Sequence, residues 1–194
     1  MSLKNLFSFL LIAILVVSCK KKTVESDNLF QFKSYVNYNT SGRISILSTI
    51  DIGLVIEVDG WIANEEVHDN IFSITPKVEG KLIAKNNRAL VFVPNESLKP
   101  DETYKVTLNL KELYSNIPEE FNDYSFQFKT IKPNFNVITN NLQSYNKEWQ
   151  YLEGILKLAD ATKLEDVKTL IEATQNEKSL SIKWDKSNII TQNF

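Results

Sequence analysis

Cysteine and histidine are almost absent from this chain, which has one of each, Cys19 and His68, among 194 residues. One thiol cannot form a disulfide within the chain. One thiol and one imidazole also cannot supply the paired ligands of a structural zinc site. The stability of the fold must therefore come from packing, and a hydrophobic content of 43% is enough to form a folded core.

Glycine and basic charge are also scarce. The five glycines, at positions 42, 53, 60, 80 and 154, stand alone, so the sequence has neither a phosphate-binding loop nor a dinucleotide fingerprint. Lys and Arg number 22 against 24 Asp and Glu, which leaves no basic excess to neutralise a nucleic-acid backbone. These absences predict no nucleotide partner, no nucleic-acid partner and no cofactor.

Signatures of catalysis are lacking as well. His68 is the only histidine, and no serine lies in a Gly-x-Ser-x-Gly turn, so the sequence shows no recognisable pair of nucleophile and base. We therefore expect a protein without catalytic residues. A hydrolase of another type is the weaker alternative.

Two acidic clusters are candidates for metal binding. The first contains Glu65, Glu66, His68 and Asp69, and the second contains Glu119, Glu120 and Asp123. No second ligand-rich segment is available to complete the first, and the second lacks the alternating spacing and the glycine of a calcium loop. We expect both clusters to be solvated loops, with no metal site.

The first eighteen residues have the pattern of an export signal. Lys4 is followed by an apolar run over residues 6–17, interrupted by Ser8, and then by the small residue Ser18. A helix that spans a bilayer takes about twenty apolar residues, and this run is shorter than that. The sequence therefore predicts a signal peptide over residues 1–18.

Residues 15–19, Leu-Val-Val-Ser-Cys, resemble a bacterial lipobox, with Val16 where leucine is commonest. The resemblance implies that Cys19 is acylated, becomes the N-terminus after cleavage and attaches the protein to a membrane. Ordinary signal-peptidase cleavage or an uncleaved anchor are the alternatives. The run Ser-Cys-Lys-Lys-Lys is similar to lipoprotein starts of Bacteroidetes-type bacteria, which implies a cell-envelope location at the outer membrane. Residues 19–29 are polar and predict a flexible tether.

The body of the chain alternates as β-strands do. Apolar residues occur at every second position over 50–58, 104–110 and 124–128. Residues 81–85 and 88–93 flank Asn86-Asn87, which predicts a tight hairpin because asparagine tolerates a positive φ. These strands predict a mainly β protein with an antiparallel Ig-like sandwich over residues 30–132, although the bridging cysteine pair is missing. Tyr124, Phe126 and Phe128 are expected in its core instead of in a sugar-stacking platform.

Residues 133–194 predict a partial second β-rich domain with one short helix. Strands are expected over 135–142, 151–159 and 180–184. Thr162 and Glu165 form a capping box for the helix, whose apolar stripe is Leu164, Val167, Leu170 and Ile171. About sixty residues with so few strands make a poor core, so this domain is incomplete or leans on the first.

Four segments resemble the N-terminal region of bacterial alpha-2-macroglobulin-like lipoproteins: SGRISILSTIDI, FSITPKVEGKLIAKNNRALVFVPNESLKPDETYKVTLNL, FQFKTIKPNFNV and GILKLADATKLEDV. The resemblance implies an Ig-like domain followed by part of a first macroglobulin domain. Members of this family trap proteases through a bait region, and many carry a thioester in a Cys-x-Glu-Gln motif.

This chain has neither the length nor the motif for trapping, since Cys19 is followed by lysines. The resemblance therefore implies a membrane-anchored, non-catalytic segment whose partners are the membrane and possible protein partners or proteases. The alternative is a freestanding cell-surface Ig-like module that binds a glycan or a partner protein.

Overall fold

A computed structural model describes residues 25, 27–162 and 164–185 of the chain. Two four-stranded sheets form its larger part. Their strands are β1 (Val36–Asn39), β2 (Gly42–Ile44), β3 (Ile50–Leu54), β4 (Phe72–Thr75), β5 (Gly80–Asn86), β6 (Ala89–Pro94), β7 (Thr103–Asn109) and β8 (Asp123–Thr130).

The order of the strands is that of an immunoglobulin-type sandwich. One sheet runs β1-β3-β6-β5 and the other β2-β8-β7-β4, which correspond to strands A, B, E, D and A′, G, F, C of that fold. All neighbours in these two sheets are antiparallel except β2 and β8. The prediction of a mainly β protein with an antiparallel Ig-like sandwich is confirmed.

The core lies between the two sheets and follows the predicted alternation. Tyr124, Phe126 and Phe128 are almost fully buried, so their assignment to the core is confirmed. Aromatic rings stack across it, with 4.9 Å between the centroids of Phe72 and Phe92. The other large side chains that are most completely buried are Phe32, Val36, Ile50, Ile52, Leu90, Tyr104, Val106, Leu108 and Leu110.

A tyrosine corner joins β6 to β7. Tyr104 lies near the start of β7, which is strand F. Its hydroxyl accepts a hydrogen bond at 3.0 Å from the backbone N–H of Lys99, five residues upstream. The buried Thr130 hydroxyl donates to the Lys99 carbonyl at 2.6 Å and accepts from the Glu102 N–H at 2.9 Å. This corner is a hallmark of Ig-like sandwiches that does not require the cysteine pair.

Two details of the predicted strands are wrong. The strand expected over 50–58 ends at Leu54, because the Val55 N–H turns to the Tyr35 carbonyl, and Ile56 is consequently 44% exposed. The hairpin between β5 and β6 is present, but neither of its asparagines has a positive φ. The Asn86 side chain instead accepts the Arg88 N–H at 2.7 Å, so an Asx turn closes the loop.

The remaining described residues form a smaller β-rich part with one short helix, as predicted. It contains β9 (Phe135–Thr139), β10 (Gln143–Ser144), β11 (Gln150–Tyr151), β12 (Gly154–Leu158), α1 (Leu164–Lys168), β13 (Thr174–Gln175) and β14 (Lys178–Ser179). The strands pair two by two, β9 with β12, β10 with β11 and β13 with β14.

Several predictions for this smaller part are wrong in detail. The strand expected over 151–159 is split into β11 and β12, and residues 180–184 form no strand. The last hairpin lies upstream, where Asn176 and Glu177 both have a positive φ, as a type I′ turn requires. Val167 on the helix is buried, but Leu170, which lies in the turn after it, is 58% exposed, so the predicted apolar stripe is only partly covered.

No helix among the described residues is long and apolar enough to cross a membrane.

The two ends of the sandwich differ in the groups that they carry. We name the end formed by the loops 55–71, 87–88 and 110–122 the cleft end, and the end formed by the loops 45–49 and 95–102 the docking end. The chain reaches the cleft end at Tyr35, whose carbonyl accepts the Val55 N–H. It leaves after Thr130 at the docking end. The eight residues of β8 span about 26 Å between these ends.

Candidate functional site

The cleft end holds an open cleft of about 670 Å³ between the loop 55–71 and the residues 112–116. Its walls combine aromatic rings with carboxylates, and both kinds of group can contact a ligand. The aromatic lining residues are Tyr35, Trp61 and Tyr114, and the acidic ones are Glu57, Asp59 and Glu112.

One wall of the cleft is the loop 55–71, which is fastened to the edge of β5. Gly60, with a φ of 81°, and Asn64, with a φ of 68°, allow the loop to turn back. The Asn64 N–H then donates to the Ala84 carbonyl at 2.7 Å, and the Val67 N–H donates to the Leu82 carbonyl at 2.8 Å. These bonds hold Trp61 in the wall and cover a sheet edge that would otherwise be open to pairing.

The opposite wall is the loop 110–122, which contains two short 3-10 turns, Leu110–Glu112 and Glu119–Phe121. Leu110 is fully buried, and its N–H donates to the Asn122 carbonyl at 2.7 Å, which closes the base of the loop. The loop therefore presents Glu112 and Tyr114 from a fixed base.

Tyr114 ties the two walls together. Its hydroxyl donates a hydrogen bond to the Ile56 carbonyl at 2.9 Å, and its ring lies 6.1 Å from that of Tyr35. Burial raises the pKa of Tyr114 to about 12, so the phenol is neutral at physiological pH. A neutral ring presents the negative face that attracts a cation.

The charged groups of the cleft are mainly negative. Glu57 is paired with Arg88 at 2.9 Å, and both side chains are 55% exposed, so this ion pair contributes little to stability. Asp59 and Glu112 are exposed to solvent. Among the described residues that line the cleft there is no lysine or arginine, so its field favours cationic ligands.

A second site, the docking contact, joins the sandwich to the smaller part. The Asp160 carboxylate accepts the Ser45 hydroxyl at 2.5 Å and the Ile46 N–H at 2.8 Å. It also accepts the N–H of Ala161 at 2.8 Å. Hydrogen bonds to a carboxylate are among the stronger ones. Those from Ser45 and Ile46 join residues that are 115 and 114 positions from Asp160 in the chain.

The residues of the first acidic cluster have separate surroundings. Glu66 pairs with Lys81 at 3.4 Å, the Glu65 carbonyl accepts the Ala84 N–H, and His68 lines the cleft. In the second cluster, Glu119 and Glu120 belong to a 3-10 turn and Asp123 begins β8. Within the described part of the chain, no three His, Cys, Asp or Glu side chains lie close enough to hold a metal ion.

Cys19, the predicted lipidation site, lies outside the described residues. The signal peptide predicted over residues 1–18 and most of the tether also lie outside them.

Sequence reasoning identified neither the docking contact nor the cleft. Asp160 follows an alternating strand and resembles any polar loop residue, and its partners are more than a hundred positions away. Trp61 had one signal, its position after Gly60 in a turn, since a tryptophan there is not accounted for by strand packing. Only the fold brings it into the same cleft as Tyr114.

No protein-family model and no curated protein matches the chain. Among solved structures, it is similar to L,D-transpeptidase 3 from Mycobacterium tuberculosis in complex with a faropenem-derived adduct, with a TM-score of 0.36 and 15% identity over 53% of this chain and 39% of that chain. Another structure of this enzyme gives a TM-score of 0.35 and 13% identity over 51% of this chain and 37% of that chain.

An L,D-transpeptidase from M. tuberculosis H37Rv gives a TM-score of 0.35 and 14% identity over 51% of this chain and 40% of that chain. This chain therefore spans well under half the length of the structures it matches. Similarity at this level carries no argument about function.

Proposed function

We propose that the chain is a lipid-anchored, non-catalytic spacer and docking module of the bacterial cell envelope, related to the start of alpha-2-macroglobulin-like lipoproteins. Lipid on Cys19 attaches it to the outer membrane. The Ig-like sandwich then holds the macroglobulin-like part that comes after it at a distance from the bilayer.

The observation that carries this proposal is where the chain enters and leaves the sandwich. Residues 27–35 lie along its side, since Asp27 lines a pocket with Ser41 and Gln127, and they lead to the cleft end at Tyr35. The chain leaves at the docking end after Thr130, where the Ile131 N–H donates to the Ile44 carbonyl at 2.9 Å. The sandwich therefore stands between the tether and the smaller part, along part of the length of about 26 Å that β8 spans.

The docking contact supports the proposal that the sandwich carries the macroglobulin-like part. Ser45 and Ile46 belong to SGRISILSTIDI and Asp160 to GILKLADATKLEDV, two of the segments that resemble the macroglobulin-like family. Their hydrogen bonds fasten the smaller part to the end of the sandwich from which the chain emerges. A spacer that carries a second unit requires such a contact to set its direction.

Lipid attachment is tested by growing cells with an alkyne-tagged fatty acid and comparing the native chain with Cys19→Ser. We expect label on the native chain and none on the variant, because the acyl chain is carried by the thiol. Ser18→Ala, which keeps a small residue before the cysteine, is the matched control and should retain the label. Equal label on the native chain and on Cys19→Ser would refute the anchor.

Docking is tested with Asp160→Asn, which keeps the shape of the side chain but removes its charge and one acceptor oxygen. We expect amide exchange at Ile46 to become about tenfold faster, since a hydrogen bond to a charged group contributes about 1.5 kcal/mol or more. Glu153→Gln removes an exposed carboxylate from the same part of the chain and should leave the exchange unchanged. Unchanged exchange in Asp160→Asn would contradict the docking role.

The cleft favours a second candidate function, a surface module that binds a glycan or a partner protein. Its loops lie at the end of the sandwich away from the docking contact, and Trp61 contributes an aromatic surface there. Binding to cell-envelope glycans, compared between the native chain and Trp61→Ala, tests this function. Equal binding by the two proteins would count against it.

A further inference from the structure

The cleft has an unusual combination of walls and charge. Tyr35, Trp61 and Tyr114 provide aromatic faces, and Asp59 and Glu112 provide carboxylates that are exposed in the described structure. A cation placed between a ring face and a carboxylate gains from both the quadrupole of the ring and the opposite charge. The preferred ligand of the cleft is therefore a primary ammonium or a guanidinium group.

A cationic segment of this same chain lies close by in the sequence. Lys20, Lys21 and Lys22 form a run of three positive charges, a few residues before the sandwich begins. Asp59 and Glu112, whose carboxylates line the cleft, oppose this run in sign, while Glu57 is already paired with Arg88. Charge complementarity thus points to the tether itself as the occupant.

The tether joins the sandwich through the segment that leads to the cleft wall. Glu25 is held near the sandwich, because its N–H donates to the Gln31 side chain at 2.8 Å, and Gln31 lies four residues before Tyr35 in the cleft wall. Lys22 is three residues from Glu25 and can extend at most about 10 Å from it, to which its own side chain adds further reach. A connection of only a few residues gives an effective concentration in the millimolar range.

We propose that the cleft is a binding site for the lysine run of the tether, with the ammonium groups of Lys20, Lys21 and Lys22 placed against Asp59, Glu112 and the faces of Trp61 and Tyr114. This goes beyond the spacer function and does not require that Cys19 is acylated. Where Cys19 is acylated, docking of the adjacent lysines draws the cleft end onto the membrane and sets the sandwich upright, with the docking end outermost.

The test is zero-length cross-linking of the full chain in zwitterionic detergent, which offers no anionic headgroups to the lysines. A carbodiimide activates a carboxylate, and a lysine amine in contact with it forms an amide that mass spectrometry locates. We expect amides between the lysine run and Asp59 or Glu112. Glu96, an exposed carboxylate at the docking end, is the internal control and should remain unlinked.

Asp59→Asn combined with Glu112→Gln removes two of the reacting carboxylates, so its readout is the link between the lysine run and Glu57. The yield of that link should fall about fivefold, as expected for the loss of two exposed charge pairs. High salt should also lower the yield of cleft cross-links, because salt screens exposed charges. A mixture of 14N- and 15N-labelled protein separates links within one chain from links between chains.

Three results would overturn the proposal: cross-links to Glu96 as frequent as those to the cleft, links formed between chains, or no lysine-run link to the cleft. None of these outcomes depends on lipid attachment, which the fatty-acid labelling measures separately.

Discussion

Replacing Thr130 by valine should destabilise the sandwich by about 2 kcal/mol, although the two side chains have almost the same shape. Thr130 is completely buried, and its hydroxyl both donates to the Lys99 carbonyl at 2.6 Å and accepts the Glu102 N–H at 2.9 Å. A typical hydrogen bond of this kind contributes about 1 kcal/mol net. Valine removes both bonds and leaves the two backbone groups without these partners.

The measurement is guanidinium-induced unfolding followed by circular dichroism, with thermal unfolding as a second readout. For a sandwich of this size, about 2 kcal/mol corresponds to a fall in Tm of about 10 °C. Thr103→Val is the matched control, since this threonine lies exposed on β7 and should change stability by less than about 0.5 kcal/mol. If the two variants unfolded at the same denaturant concentration, the assignment of the buried hydroxyl to the corner would be refuted.

The core and the buried phenols give two further predictions. Gly80→Ala should lower the free energy of unfolding by about 1–3 kcal/mol, because a Cβ there would lie 2.5 Å from the Val93 carbonyl oxygen. Gly154→Ala is the control and should be tolerated, since the nearest atom to its Cβ would be at 3.4 Å. Equal unfolding midpoints for the two variants would contradict this. Burial raises the pKa of Tyr114 and of Tyr124 to about 12 from an ordinary value of 10.0, so phenolate absorbance should show two late-titrating tyrosines. The unfolded chain ionises first, so the stability from these buried phenols is fully present below pH 10 and is lost as pH rises through about 12; a single titration near pH 10 would contradict this.

Much of the sandwich could be predicted from the sequence because its strands have one buried and one exposed face. The alternation over 104–110 and 124–128 corresponds closely to β7 and β8, and the predicted inward residues are the buried ones. The same rule failed at Ile56, where the pattern continues but the backbone leaves the sheet to bond with Tyr35. Periodicity reports which face a residue would take in a strand, but not whether the strand has a neighbour there.

The smaller part was harder to predict because the segments with an alternating pattern are not always the segments that pair as strands. The alternating residues 180–184 suggested a strand, yet the pairing occurs at β13 and β14, where two successive residues with positive φ make the turn. Neither Asn176 nor Glu177 is followed by the glycine that marks such turns. Both faces of the β9 and β12 ribbon carry exposed apolar side chains, including Phe135 and Ile155, so packing does not enforce the pattern.

The sequence by itself determined the fold class, the burial of the main strands and the expectation that Cys19 carries lipid, because each depends on residues within a few positions of one another. Only the tertiary structure decided that Asp160 meets Ser45, that Trp61 and Tyr114 line the same cleft, and that the chain leaves the sandwich at the docking end. These features depend on contacts between distant residues, and such contacts form only when the order of the strands in both sheets is set.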